Sequence, residues 1–170
     1  MNRPSPSEYA AYYNKYIELV KHDDALKVLK EQILNTQSIL SKIPQEKQNF
    51  SYAPGKWTIR EVVGHIIDTE RIMAYRALHI ARSDAANLSG FDQADFVKSG
   101  NFNQRTLSDL ACEFGAVREA SLALFKTFDE DVLKKTGTAN NNKVSVVALI
   151  FIIAGHEIHH MNVIKERYLS

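Results

Sequence analysis

Val146-Val147-Ala148-Leu149-Ile150-Phe151-Ile152-Ile153-Ala154-Gly155-His156-Glu157-Ile158-His159-His160 is the stretch that decides the fold. Its first nine residues are apolar on every side of a helix, which places that helix at the centre of a bundle and not on its surface. Ser145, just before it, is a candidate N-cap, and the helix turns polar only after His156. A wholly apolar run of nine residues is too short to cross a bilayer.

The partners for such a helix lie upstream. Thr106-Leu107-Ser108-Asp109 starts a helix whose apolar face carries Leu110, Phe114, Val117, Leu124 and Phe128. Thr58 and Glu61 form a capping box for a helix predicted to run to about Arg82. Asp24 can cap a third, carrying Leu26, Leu29, Ile33, Ile39 and Leu40 before Pro44 ends it. Ser5-Pro6-Ser7-Glu8 opens a further helical pattern through Tyr9, Tyr12, Tyr13, Tyr16, Ile17 and Val20. Asp84 through Arg105 is the least regular stretch, with turns at Ser89-Gly90 and Ser99-Gly100 and with Phe91, Phe96 and Phe102 to pin it down as a lid or rim. Thr136–Lys143 reads as a polar loop. The pattern predicts an all-α fold, an antiparallel four-helix bundle with a short additional helix, spanning residues 1–170 as a single domain.

Twenty-one Lys and Arg against twenty Asp and Glu leave a net charge of +1, with no concentrated basic footprint, so neither a nucleic acid nor a membrane is an expected partner. Arg60, Arg71, Arg76 and Arg82 are strung along one helix, where packing or solvated roles compete with single contributions to an anionic-substrate pocket. Cys112 is the only cysteine and makes no intrachain disulfide. Its apolar helical setting reads as a buried structural thiol. With no basic-then-apolar leader at the amino terminus, the expected location is cytoplasmic.

His156 and His160 are four residues apart, on one helical face, close enough for two imidazoles to converge on one divalent ion. His159 points elsewhere, about 60° the other way from His156. The segment fits His-Glu-x-x-His, in which the glutamate serves as base, yet only ten residues follow His160 and none supplies a distant third ligand. That ligand must come from upstream. His65, on the margin of the buried face of its helix, is the best candidate, and the competing reading pairs it with Asp68 or backbone. His22 and His79 have no comparable partners. Glu157 is the candidate general base, although it stands about 100° from His156 around the helix.

With these histidines placed, the sequence resembles the DinB/YfiT-like superfamily, named for DNA-damage-inducible proteins. The resemblance covers nearly the whole chain and is carried by Tyr52-Ala53-Pro54-Gly55-Lys56-Trp57-Thr58-Ile59-Arg60-Glu61-Val62-Val63-Gly64-His65 and by Ala154-Gly155-His156-Glu157-Ile158-His159-His160. It implies a four-helix bundle and a three-histidine site for a divalent metal, the ligands matching His65, His156 and His160. Zinc or nickel suits the imidazole set best, and manganese or iron also accepts it. Related enzymes are metal-dependent hydrolases, or transferases and isomerases that use a low-molecular-weight thiol as cosubstrate. The resemblance also makes a homodimer plausible.

The expected function is therefore that of a divalent-metal-dependent hydrolase acting on a small-molecule substrate. One alternative is metal-dependent thiol transfer or isomerisation. The other is a non-enzymatic metal-binding structural or interaction protein, marked by a closed core with four protein ligands.

Overall fold

The computed structural model describes residues 2–83 and 85–169, so Asp84, the first residue of the irregular stretch, lies outside the described residues, as do Met1 and Ser170. The chain forms α1 (Asn14–Ile17), α2 (Ala25–Leu40), α3 (Ile59–Arg82), β1 (Asn87–Leu88), α4 (Gln93–Ser99), α5 (Leu107–Phe125), α6 (Glu130–Lys134), β2 (Thr136–Ala139), β3 (Asn142–Ser145) and α7 (Val146–Val163). The last continues as a π-helical turn over Ile164–Tyr168.

The long helices begin where side chains satisfy their free backbone donors. Asp24 accepts from Leu26 and Lys27, Thr58 from Glu61, Thr106 from Asp109 and Ser145 from Ala148. At Thr58 the capping box is complete, since the Glu61 carboxylate accepts the Thr58 amide at 2.8 Å. The amino-terminal pattern behaves differently. Instead of one helix it forms short 3-10 turns at Pro6–Glu8 and Ala11–Tyr13 and the single turn of α1. Tertiary contacts override helical propensity here: α1 lies across α7, and the Arg3 guanidinium donates to the carbonyls of Ile17 (3.0 Å) and Val20.

Helices α2, α3, α5 and α7 make the bundle. Both α2 and α3 pack against α5 and α7, so α2 and α3, consecutive along the chain, sit diagonally. One apolar cluster gathers the start of α2, the ends of α3 and α5 and the start of α7, around Leu29, Ile80, Phe125 and Phe151. The other gathers the opposite ends, around Leu40, Ile59, Leu110 and Met161. Helix directions follow from this. The α2–α5 and α3–α7 contacts are antiparallel, whereas α3 and α5 run the same way because the crossover over residues 85–105 returns the chain to the end where α3 began. That crossover carries β1 and α4, and only Phe102 of its three phenylalanines is fully buried.

Two expectations are corrected. The stretch 136–143 is not a loop but most of a hairpin, β2–β3, closed by Asn140 and Asn141, both at left-handed φ (50° and 59°), the pairing a tight hairpin turn requires. Strand β1 adds in parallel to β2, giving a small sheet beside the bundle. Cys112 is exposed on α5, not buried.

Helix α7 is buried at every position from Val146 to Glu157. By length and composition Val146–Tyr168 is apolar enough to cross a membrane, but 72% of its most apolar window is buried inside the protein, the condition of a central core helix.

Between the two apolar clusters lies a polar layer. Arg118, wholly buried, donates to both oxygens of Glu70 (2.8 and 2.9 Å), to Glu157 Oε2 (2.6 Å), to the Leu29 carbonyl (2.9 Å) and to Gln32 (3.1 Å). Burial alone would lower the Arg118 pKa, but the carboxylates of Glu157 and Glu70 outweigh it and hold the guanidinium above its ordinary value. All four bundle helices are tied together at this level.

Candidate metal centre

His65 comes from the second turn of α3, and His156 and His160 from successive turns of α7. Because α3 and α7 pack side by side, the three imidazoles meet. The Nε2 atoms of His65 and His156 are 3.0 Å apart, those of His160 and His156 are 3.1 Å apart, and all three ligand atoms lie within 4.8 Å of one another. His65 and His156 are buried and His160 is half-buried.

Surrounding side chains fix the rings. Trp57 packs on His65 at 4.8 Å between centroids and is held by the Tyr168 hydroxyl, which donates to the Trp57 carbonyl at 2.7 Å. Tyr16 meets His156 edge-on at 5.3 Å. It comes this close because residue 155 is glycine: a Cβ there would run into the Tyr16 backbone carbonyl. Gly64, beside His65, likewise makes room, though for the Phe102 ring and not for a neighbouring helix. The Thr69 hydroxyl stands 3.4 Å from His65 Nδ1.

Burial pushes His65 down to about 4 and His160 down to about 3; burial together with the neighbouring rings carries His156 well below its ordinary value. The imidazoles are therefore neutral at pH 7, the form that ligates metals. A ring nitrogen offers one proton or one lone pair, so His156 Nε2 cannot satisfy both close neighbours by hydrogen bonding. A cation takes all three lone pairs. Tetrahedral coordination at about 2.0–2.1 Å sets nitrogens about 3.3–3.4 Å apart, a few tenths of an ångström from the 3.0 and 3.1 Å that separate His156 from its two neighbours. The donor set fits a divalent ion.

Glu157 is not brought to this cluster. It is buried on the side of α7 facing α2 and α5, where Thr36 donates to Oε1 at 2.5 Å and Arg118 occupies Oε2. The 100° that separates it from His156 directs it into the polar layer and away from the imidazoles. Asp68 pairs with Arg71 (3.6 Å), so the alternative partner for His65 is not realised. Asn103 accepts from Thr58 at 2.7 Å and donates to Glu61 at 3.0 Å, locking the crossover to the start of α3. His22 accepts from the Asp24 amide and His79 sits against Ser83, both away from the cluster.

Two cavities border the histidines. One of about 480 Å³ is lined by His65, His156, Thr69, Tyr13, Tyr16 and Arg76, among others. The other, of about 420 Å³, reaches His160 between Trp57, His159, Lys56 and Tyr168. Among the described residues no fourth protein ligand joins the cluster. Sequence reading gives Tyr9, Tyr12, Tyr13 and Tyr16 core or rim packing with one or two hydroxyls reaching a cavity, and Tyr13 and Tyr16 do line the cavity beside the histidines. It did not anticipate the Arg118–Glu70–Glu157 layer behind the site. Trp57, directly before the Thr58 cap, was the available signal for an aromatic wall.

Bundle and cluster together define a helical protein with a three-histidine cluster capable of coordinating one divalent cation. The chain belongs to the DinB superfamily, whose family model matches residues 29–164. It is 27% identical over 128 residues (74% of this chain and 73% of the relative) to an Oceanobacillus iheyensis protein named "Putative metal-dependent hydrolase OB0413". Its fold is shared with YfiT from Bacillus subtilis, described as "a probable metal-dependent hydrolase with an unusual four-helix bundle topology": the TM-score is 0.78 at 17% identity, covering 96% of this chain and 89% of that one.

Proposed function

We propose that the protein is a metal-dependent hydrolase of a small molecule, with His65, His156 and His160 as the ligands. The observation that carries this reading is the convergence of three neutral imidazoles, with no fourth protein ligand among the described residues, at the border of two cavities. A closed structural site would have neither feature. The name of the Oceanobacillus iheyensis relative supports the same reading. A divalent ion in this position, zinc or nickel by donor chemistry, supplies Lewis acidity for a carbonyl and makes water more acidic. The chain's own contribution is to hold the imidazoles neutral, to orient them through Trp57, Tyr16 and Thr69, and to line the space beside them.

Metal-assisted transfer of a low-molecular-weight thiol is a second reading, favoured by the approach to the cluster from two sides, which leaves room for two reactants. Both readings meet the same experiment. Protein loaded separately with zinc, nickel and manganese is assayed on ester, amide and lactone panels, with and without added thiol. Turnover by water alone supports hydrolysis. Turnover only with added thiol replaces it, and silence in both with a fully loaded site leaves metal binding without catalysis.

A further inference from the structure

The bundle buries two arginines, and they are treated in opposite ways. Arg118 is surrounded by acceptors, two of them carboxylates. Arg76, only 4% exposed, has no carboxylate partner among the described residues. Its contacts are the Ser89 carbonyl at 2.7 Å, the Met73 sulfur at 3.7 Å, the Phe91 ring at 5.8 Å and the Tyr13 hydroxyl. Burial lowers its pKa, and only Tyr13 opposes that shift. A guanidinium withdrawn from water without a counter-charge is costly, and Arg stays protonated when buried.

Its position says what can supply the missing charge. His65, Thr69, Met73 and Arg76 stand at i, i+4, i+8 and i+11 on α3, and all four line the larger cavity. Eleven residues bring the helix back to within about 20° of its starting meridian after about 16 Å of rise. The cavity floor is thus one stripe of α3, with the metal cluster at one end and the cation at the other. Met73, Phe91, Ile152 and the tyrosine rings give the space between them an apolar side, and Asp92, Gln93, Asn140 and Asn142 line it with polar groups. The Asp92 carboxylate is engaged by the Ala94 and Asp95 amides as a helix cap and makes no ion pair with Arg76 among the described residues.

We infer that Arg76 is a substrate-binding residue that recognises a carboxylate, and that the substrate is a small molecule with an apolar body whose reacting group lies at the histidine cluster. A single guanidinium with part of its donor set already engaged by Ser89 and Met73 suits a monoanion better than a phosphate dianion. Tyr13 supplies a second donor beside it. This inference rests on the proposed function for the reacting end of the molecule and is independent of it for the charged end.

The test uses binding, not turnover. Benzoate and its neutral isostere benzamide are titrated by calorimetry into the full chain at pH 8, both metal-loaded and after chelation, for wild type, Arg76→Gln and Arg76→Lys. The expected result is a preference of at least tenfold for benzoate that persists after chelation. It should fall below twofold in Arg76→Gln and recover in part in Arg76→Lys. Because the benzoate–benzamide comparison in wild type needs no variant, poor folding of Arg76→Gln does not rescue the idea. Equal binding of the two probes, a preference that survives in Arg76→Gln, or inorganic phosphate displacing benzoate with tighter affinity would each overturn it. The hydrolase reading is decided separately, by metal content and turnover. A carboxylate preference in a catalytically silent protein would therefore sink that reading alone.

Discussion

Arg118 and Glu157 form a fully buried ion pair, 2.6 Å between guanidinium and carboxylate, one residue along α7 from His156. The residue that completes a His-Glu-x-x-His pattern in the sequence thus serves the packing of the bundle, and the two histidines of that pattern join His65 in the cluster.

Glu157→Gln is expected to keep both fold and metal. A glutamine can still accept from Arg118 and donate to Thr36, so the layer stays connected. Hydrolytic rate should change by only a few fold, in place of the about 10²–10⁴-fold loss expected of a positioned general base. A larger drop with full metal occupancy, measured by elemental analysis beside the kinetics, would return Glu157 to the reacting centre.

Arg118→Met removes the only cation of the layer and leaves Glu70 and Glu157 buried without it. Breaking a buried pair in this way costs about 3–5 kcal/mol. Urea denaturation should register that loss, whereas an effect below about 1 kcal/mol would show the layer to be dispensable.

Each of His65→Ala, His156→Ala and His160→Ala should strip the ion, and His22→Ala and His79→Ala should not. Metal content after gel filtration in micromolar zinc reads this directly. Comparable loss in the His22 or His79 variant would reject the ligand set.

The amino-terminal segment owes its seat to a missing side chain. Gly155→Ala drives a methyl group into the Tyr16 carbonyl, so α1 must move off α7. Overpacking of this kind costs about 1–3 kcal/mol, and it displaces the Tyr16 ring from His156. The thermal midpoint should fall and metal dissociation should quicken together; a variant as stable and as retentive as wild type would contradict the close approach.

Metal-free protein should lose stability on the acid side of neutrality. The pKa of His65 is lowered on folding from 6.5 to about 4, so between those values the unfolded chain takes up the proton first. The contribution is complete above about pH 7 and declines as pH falls through the window, by about 2 kcal/mol for His65 between pH 7.5 and 5. Denaturation of chelated protein at several pH values checks the sign. His65→Ala should flatten the profile.

Much of this architecture could be read from local chemistry. Asp24, Thr58, Thr106 and Ser145 each announce a helix start that the structure keeps, and the all-apolar Val146–Ala154 run correctly places α7 at the centre. His156 and His160 are legible because one helical turn brings them together. His65 is 91 residues from His156, and its membership was visible only as the best upstream candidate and through family resemblance. The polar layer was not legible: Arg118 is 48 residues from Glu70 and 39 from Glu157, and no local pattern links them. The hairpin was missed because Thr136–Ala139 and Asn142–Ser145 lack a strong apolar alternation, and the paired left-handed asparagines show only in the backbone.

The separation of His65 from His156 also sets a schedule. At about 5–20 residues per second, a chain growing from its amino end makes the first imidazole several seconds before the second. During that interval α3 already exposes the face that α7 will cover, and no ion can yet be chelated. An ion held by the three histidines would thus arrive late, at a bundle with two apolar clusters of its own. Cells short of the ion should accumulate folded, empty protein that fills when supply returns, sparing each molecule a second round of synthesis.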